Sequence, residues 1–169
     1  MSYQREYEKR LDIAVVGLGG HSYRNILPAL NFLPVRLKAV CDVNAALARQ
    51  TATQLGCNAY DDAAALYRAE KLDAVLIVVS PRLHPELVMQ AFAAGLDVWV
   101  EKPIATRTSE VEAMIAARGK RICVVGLKKV FMPAAQKALE IIRSDKYGSL
   151  VSALGVYPVS IPADGAAVL

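Results

Sequence analysis

Short apolar runs alternate with segments of helical period along most of the chain. The runs that have the length and β-branched content of buried strands are Leu11–Val16, Arg36–Cys41, Ala74–Val79, Val98–Val100, Ile122–Val125 and Leu150–Val156. The segments of helical period between them are Tyr23–Phe32, Asn44–Leu55, Asp61–Ala69, Pro85–Ala94, Ser109–Ala117 and Pro133–Arg143. Strands that alternate with helices predict right-handed crossovers and a parallel sheet covered on both faces. The pattern therefore predicts a doubly wound α/β fold.

Glycine and proline positions bear on the boundaries of these helices. Gly56, Gly95 and Gly119 each follow a helical segment, where a residue with positive φ ends a helix at least cost. Pro28 lies inside the first helical segment and has no backbone N–H. We therefore expect Pro28 to kink that helix or to delay its start.

Length and composition fit one domain, or one domain followed by the first strand of another. The chain has 169 residues, of which 54% are hydrophobic and 21% are charged. Its net charge of +4 is spread without a basic run interleaved with aromatic residues, so we expect no nucleic-acid partner. No apolar run approaches the ~18 residues needed to cross a bilayer, and the amino terminus does not look like a signal peptide. We expect a cytoplasmic protein with no membrane partner.

The three cysteines do not form a recognisable ligand set. Cys41, Cys57 and Cys123 are far apart, and none belongs to a C-x-x-C pair or a Cys/His cluster. They are typical of small buried hydrophobic residues in a reducing compartment. We therefore expect no metal site.

A glycine-rich turn follows the first predicted strand, in the sequence IAVVGLGGHS. Gly17 permits a tight turn from strand to helix, and Gly19 lets the backbone approach a pyrophosphate. The helix start that follows presents N–H groups and the positive end of a dipole. Ser22 stands where the dinucleotide-binding fingerprint has its third glycine, and its small side chain still allows close packing. The alternative interpretation is an ordinary glycine turn.

Asp42 ends the second predicted strand, about 25 residues after Gly17. This is close to the spacing of about 20 residues at which a carboxylate binds the adenosine ribose. Such a carboxylate accepts hydrogen bonds from the ribose hydroxyls and repels a 2′-phosphate. NAD is therefore the expected cofactor, and NADP is less favoured. The alternative is an aspartate that only caps a helix.

Polar residues also follow the next two predicted strands, in the sequences VVSPRLHP and WVEKPIA. The carboxyl ends of parallel strands form the ligand crevice of an open α/β sheet, so we expect these residues along one edge: Ser80, Pro81, His84, Glu101 and Lys102. Lys102 is the candidate catalytic residue, because an ammonium there can orient a hydroxyl or share its proton. The alternatives are a solvated lysine at position 102 and, at position 84, a histidine satisfied by backbone groups.

The chain resembles the Gfo/Idh/MocA family of oxidoreductases. The similarity runs through GLGGHS, AVCDVN, SPRLHPELVMQAFAAGLDVWVEKP and VGLKKVFMPAAQKALEII, and its most specific part is the triplet Glu101-Lys102-Pro103. The resemblance implies an NAD(P)-binding Rossmann domain joined to an α/β substrate domain. It also implies oxidation or reduction of sugars, polyols or related carbonyl compounds. We expect the Rossmann domain at residues 1–147 and the start of a truncated substrate domain at residues 148–169.

The resemblance also implies a role for each site residue. The pyrophosphate would lie on Gly17, Leu18, Gly19, Gly20 and His21. Asp42 would bind the adenine ribose, and Ser80, Pro81 and His84 would lie near the nicotinamide ribose. Glu101 and Lys102 would face the nicotinamide and the substrate.

Two departures from the family pattern matter. Many members read Gly-Phe-Asn-x-Arg-Phe-x-Pro where this chain reads GLKKVFMP at positions 126–133, which leaves the substrate class open. In the family, a histidine and an acidic residue of the second domain usually share proton transfer with the lysine. This chain has only His21 and His84, both in its nucleotide half. We therefore expect the chain to be inactive by itself.

Two function classes follow. The first is the nucleotide-binding half of an NAD(P)-dependent oxidoreductase whose intact form is a homo-oligomer acting on a sugar-like substrate. The second is a non-catalytic NAD-binding module that acts as a sensor or as a subunit completed by another chain. A Rossmann methyltransferase fits less well because of the Glu-Lys-Pro triplet.

Apolar residues after Gly148 further predict an exposed apolar surface or self-association.

Overall fold

The computed structural model describes residues 7–156 and 158, and this part divides into two compact units after Leu127. The first unit contains a parallel sheet with the strand order β3-β2-β1-β4-β5-β6. The strands are β1 (Leu11–Val16), β2 (Val35–Cys41), β3 (Asn58–Tyr60), β4 (Ala74–Ile77), β5 (Asp97–Val100) and β6 (Cys123–Val125). The expected domain boundary at 147/148 stays a prediction, and residues 157 and 159–169 of the expected second domain lie outside the described residues.

Helices connect consecutive strands. A π turn (Ser22–Ile26) leads into α1 (Leu27–Leu30), and the helices that follow are α2 (Ala45–Leu55), α3 (Ala63–Ala69), α4 (His84–Ala93), α5 (Thr108–Arg118) and, in the second unit, α6 (Pro133–Arg143). Short 3₁₀ turns are Pro81–Leu83, Lys128–Phe131 and Asp145–Tyr147. Among the described helices, none is long and apolar enough to span a bilayer.

The sheet has a hydrophobic core on each face, because side chains alternate along its strands. On one face, Ala14 and Val16 pack with residues of α3, α4 and α5, such as Leu66 and Val88. On the opposite face, Val15 packs with residues of α1 and α2. Helices on both faces of a parallel sheet in this order confirm the predicted doubly wound fold.

Pro28 is accommodated by a wider helical turn ahead of it. The N–H of Leu27 donates to the carbonyl of Ser22, five residues earlier, and Pro28 then occupies the first turn of α1. A proline at this position costs no backbone hydrogen bond, because the first N–H groups of a helix have no partner within it. The expected disturbance of the first helix therefore takes the form of a π turn.

The sequence analysis missed one strand and predicted one strand that the structure does not have. The short edge strand β3 was missed because it has only three residues and pairs only with β2 in the described sheet. The predicted strand Leu150–Val156 has no strand structure, and its apolar side chains are exposed. An apolar pattern forms a stable strand in water only where a neighbouring strand supplies ladder hydrogen bonds.

Candidate functional site

A crevice of about 780 Å³ lies at the carboxyl edge of the sheet, beside the adjacent strands β1 and β4. Its volume lies within the range of about 300–1,000 Å³ that is usual for ligand sites. The strand order reverses between β1 and β4, which is where open α/β sheets bind their ligands. Most of the predicted site residues line this crevice, namely Gly17, Gly19, Gly20, His21, Asp42, Ser80, Glu101 and Lys102.

Three predicted site residues do not line the crevice. The side chain of Leu18 is buried in the core, and Pro81 begins the 3₁₀ turn that precedes α4. His84 is completely buried, with Nδ1 2.9 Å from the carbonyl oxygen of Pro103 and Nε2 3.1 Å from that of Val79. His84 thus joins the loop after β4 to the loop after β5, and its ring is surrounded by backbone acceptors. A direct contact between His84 and a cofactor stays a prediction.

Gly17 is at the one position of the turn that admits no side chain. Its φ is +94°, and a Cβ there would lie 2.2 Å from the carbonyl oxygen of Val78. Its N–H donates to the carbonyl of Cys41 over 2.8 Å, so the turn is tied to the end of β2. A Cβ on Gly19, in contrast, would meet nothing within 4 Å of the protein. The space beside Gly19 is therefore open to a ligand.

Ser22 replaces the third glycine of the dinucleotide fingerprint without leaving a polar group unsatisfied. Its side chain is fully buried, and its hydroxyl donates to the carbonyl of Gly17. The hydroxyl thus closes the turn from the helix side. A small residue that also supplies this donor explains why serine fits where glycine is usual.

Asp42 stabilises the glycine turn while it lines the crevice. Its Oδ2 accepts the N–H of Leu18 over 2.8 Å, and its Oδ1 accepts the N–H of Asn44 over 2.9 Å. Each carboxylate oxygen has a second lone pair, so both can still accept hydrogen bonds from a ligand. The N-cap of α2 is Asn44, whose side chain accepts from Leu47 N–H. Asp42 is therefore not itself the cap of that helix.

His21 and Glu101 connect the glycine turn to the end of β5. Nε2 of His21 lies 3.0 Å from Oε1 of Glu101, and Nδ1 lies 3.1 Å from the amide nitrogen of Asn25. Because the amide donates to Nδ1, Nε2 carries the proton and donates to the carboxylate. Both ring nitrogens of His21 are thus engaged, and neither is free to take a proton from a substrate.

Glu101 is held at several points, whereas the Lys102 ammonium is free. The Glu101 side chain is only 14% exposed, and its Oε2 accepts the N–H of Lys102 over 2.9 Å. A Cβ on Gly126 would lie 3.0 Å from Oε1, so glycine is needed there for the close approach. Lys102 is exposed, and within the described residues no hydrogen bond or ion pair engages its Nζ. This geometry is compatible both with a ligand-binding lysine and with a solvated one.

Other residues of the crevice were missed by sequence reasoning. They are mainly Val43, Asp61, Asp62, Leu83, Glu86, Leu87 and Gln90. Asp61 and Asp62 follow β3, and without that strand their place at the sheet edge could not be predicted. Leu83, Glu86, Leu87 and Gln90 lie in or just before α4, where positions 83, 86, 87 and 90 share a helical face. That spacing was the available signal.

The described residues contain no cluster that could hold a metal ion. No three His, Cys, Asp or Glu side chains in this part of the chain are arranged so that they could ligate one ion. Burial raises the pKa of the Cys41 thiol to about 12, which keeps it protonated near neutral pH. Burial likewise raises the pKa of Cys57 and Cys123. These thiols are poor metal ligands because ligation requires the thiolate.

The parallel sheet, the glycine turn at its switch point and the carboxylate after β2 together define a dinucleotide-binding Rossmann domain. Residues 11–129 match the family model described as "Oxidoreductase family, NAD-binding Rossmann fold", and the chain belongs to this Gfo/Idh/MocA family. The resemblance inferred from the Glu-Lys-Pro context is thereby confirmed.

Curated relatives and solved structures are similar to this chain over most of its length. An inositol 2-dehydrogenase from Azotobacter vinelandii is 29% identical over 144 residues, which cover 82% of this chain and 43% of the relative. A D-xylose 1-dehydrogenase (NADP(+)) from Haloferax volcanii is 29% identical over 160 residues, covering 90% of this chain and 47% of the relative.

The similar solved structures include one with both a cofactor and a polyol bound. The scyllo-inositol dehydrogenase from Lactobacillus casei, with bound NAD(H) and scyllo-inositol, has a TM-score of 0.69 and 26% identity, over 79% of this chain and 41% of that chain. The present chain thus spans less than half the length of the relatives that it matches.

Proposed function

We propose that this chain is the NAD-binding half of a dehydrogenase or reductase that acts on a polyol, a sugar or a related carbonyl compound. The observation that carries the proposal is the crevice in which the Gly17 turn, the Asp42 carboxylate and the Lys102 ammonium lie along one sheet edge. Bound NAD supplies an acceptor or donor of hydride. The protein's own residues bind, orient and enclose it.

NAD rather than NADP is proposed as the cofactor, because three carboxylates line the crevice around the end of β2 and β3. Asp42, Asp61 and Asp62 all line it. Two of the Asp42 lone pairs remain available to ribose hydroxyls, whereas a 2′-phosphate in the same place meets negative charge. The NADP(+) in the name of the Haloferax volcanii relative means that family membership alone does not decide this preference.

Lys102 is proposed to orient the substrate hydroxyl and to share its proton. Its Nζ is unengaged within the described residues, and its backbone is fixed through Glu101. A polyol substrate is supported by the inositol dehydrogenases among the relatives. Since those proteins are more than twice as long, the remaining proton-transfer groups are proposed to come from a second domain. That domain would also complete the homo-oligomer and the substrate site.

Calorimetric titration of the chain with NAD and with NADP tests the cofactor assignment. We expect saturable binding of NAD, at least about tenfold tighter than binding of NADP, because one unfavourable charge contact is worth about 1–2 kcal/mol. Equal or reversed affinities would overturn the assignment of NAD. A parallel assay of reduced-cofactor absorbance with polyols is expected to show no turnover by this chain alone. Turnover that disappears in Lys102→Ala would show that no second domain is required.

A further inference from the structure

The crevice extends beyond the residues that fit the pyrophosphate, the ribose and the nicotinamide. Its remaining wall is formed by the start of α3 and by one face of α4, and both helices lie on the same face of the sheet. Leu83 and Leu87 supply apolar surface there, while Glu86 and Gln90 supply polar groups. A dinucleotide whose ribose lies at Asp42 has this wall left for its base.

The polar groups on this wall present acceptors. The amide nitrogen of Gln90 donates to Oε1 of Glu86 over 3.1 Å. A carboxylate cannot donate, so this contact fixes the orientation of the Gln90 amide. Oε2 of Glu86 and Oε1 of Gln90 have no hydrogen-bond partner among the described residues. Two oxygen acceptors at the edge of an apolar surface match a planar base that has an exocyclic amine.

We propose that Glu86 and Gln90 recognise the 6-amino group of the adenine base and make the crevice selective for 6-aminopurine dinucleotides. The 6-amino group of adenine donates hydrogen bonds, so it matches the two acceptors. The 6-oxo group of hypoxanthine is itself an acceptor and is repelled by the Glu86 carboxylate. The apolar side chains of Leu83 and Leu87 cover the flat face of the base. This inference rests on the proposed function, because it requires NAD to occupy the crevice.

The test is calorimetric titration of the chain with NAD and with nicotinamide hypoxanthine dinucleotide, in which a 6-oxo group replaces the 6-amino group of the purine and N1 carries a proton. For the unmodified protein we expect NAD to bind about three- to tenfold more tightly, the range for one hydrogen bond to a solvent-exposed carboxylate such as Glu86. Glu86→Gln is expected to bring the ratio of the two affinities close to one, because an amide can donate to a 6-oxo group. Gln90→Leu should reduce the ratio less, since the carboxylate remains.

Glu112→Gln is the matched control. Glu112 is an exposed residue of α5 outside the crevice, so its substitution removes the same charge without touching the base. We expect this variant to keep the preference of the unmodified protein. Thermal denaturation of each variant establishes that it is folded before its ratio is compared.

The outcomes separate this inference from the proposed function. If NAD binds but the hypoxanthine analogue binds equally well, the inference is overturned and the proposed cofactor site stands. The same conclusion follows if Glu86→Gln leaves the preference unchanged. If the folded chain binds neither dinucleotide, the proposed function and the inference both fail.

Discussion

The Asp42 carboxylate accepts the backbone N–H of Leu18 over 2.8 Å and so connects the end of β2 to the glycine turn after β1. The same carboxylate also accepts the N–H of Asn44 at the start of α2. One side chain therefore holds together two loops that border the crevice. In the proposed cofactor site, Asp42 has a structural task as well as a ligand-binding one.

Substitution of Asp42 is expected to change both affinity and selectivity. Asp42→Ala removes the ribose acceptor and releases Leu18 N–H, so NAD binding should weaken at least about tenfold. NADP binding should weaken less, because the repulsion of its 2′-phosphate is also removed. Asp42→Asn keeps one acceptor oxygen, so its affinity for NAD should lie between those of the unmodified protein and Asp42→Ala. Calorimetric titration with NAD and with NADP measures these affinities. An unchanged ratio of the two affinities in Asp42→Ala would show that another group sets the preference for NAD.

Gly17 and Gly19 are expected to respond differently to alanine. In Gly17→Ala, the new Cβ meets the Val78 carbonyl and the backbone has a positive φ, so the free energy of unfolding should fall by about 2–4 kcal/mol. In Gly19→Ala, the Cβ enters open space, so stability should change by less than about 1 kcal/mol. Dinucleotide binding should nevertheless weaken, because the Cβ projects into the ligand's space. Urea denaturation and NAD titration separate the two effects, and full NAD affinity in Gly19→Ala would place the pyrophosphate elsewhere.

The sheet and part of the crevice could be predicted from local sequence patterns. Strand β1 has a continuous apolar run from Ile13 to Val16 because this part is buried on both faces, and the glycine turn follows it directly. Both features depend only on neighbouring residues. Asp42 could be placed in the crevice for the same reason, since it comes directly after the second buried strand.

Features that depend on distant contacts could not be predicted. The His21–Glu101 hydrogen bond joins residues 80 positions apart, and nothing near either residue indicates it. β3 has three residues and only intermediate or exposed side chains, so it has no apolar run. Leu150–Val156 has an apolar pattern, but strand formation also requires a hydrogen-bonding neighbour, which no local pattern can supply.

His84 is expected to contribute to the stability of the fold and not to the affinity of the glycine turn for a dinucleotide. His84→Ala removes a fully buried ring and, with it, the hydrogen bond that its N–H donates to one of the two flanking carbonyls, those of Val79 and Pro103. We expect a loss of about 2–4 kcal/mol in the free energy of unfolding. His21→Ala, at the half-exposed histidine, is the control and should cost less than about 1 kcal/mol. Similar losses in both variants, measured by urea denaturation, would contradict this division of roles.

The buried thiol of Cys41 is expected to make stability depend on alkaline pH. Burial raises its pKa in the folded chain to about 12, whereas the unfolded thiol titrates near about 8.5. The neutral form is favoured by folding, so this contribution is complete below about pH 8.5 and is lost as the pH rises toward the folded value. Cys41→Ala should therefore lose less stability than the parent chain between about pH 8 and pH 10. The free energy of unfolding is measured by urea denaturation at each pH. If it falls equally with pH in the two proteins, Cys41 does not titrate in this way.

Apolar side chains beyond Gly148 are expected to cause self-association. Leu150, Val151, Leu154 and Val156 are between 64% and 93% exposed, and a segment of this composition is unusual on the surface of a soluble monomer. Val159 and Ile161, which we also expected to contribute, lie outside the described residues. Static light scattering should give a mass above that of the monomer for the full chain, and a mass nearer the monomer for a chain that ends at Gly148.

A matched control distinguishes this segment from apolar surface in general. Ile115 of α5 is 65% exposed, so Ile115→Ser removes a comparable side chain elsewhere. We expect that variant to associate like the full chain, whereas serine at positions 150, 151, 154 and 156 together should reduce association. Because the four substitutions leave the length of the chain unchanged, their effect isolates apolar contact from any effect of shortening. Monomers in every case would show that the segment does not drive association between copies. Equal association of the full chain and the chain that ends at Gly148 would instead place the contact within residues 1–148.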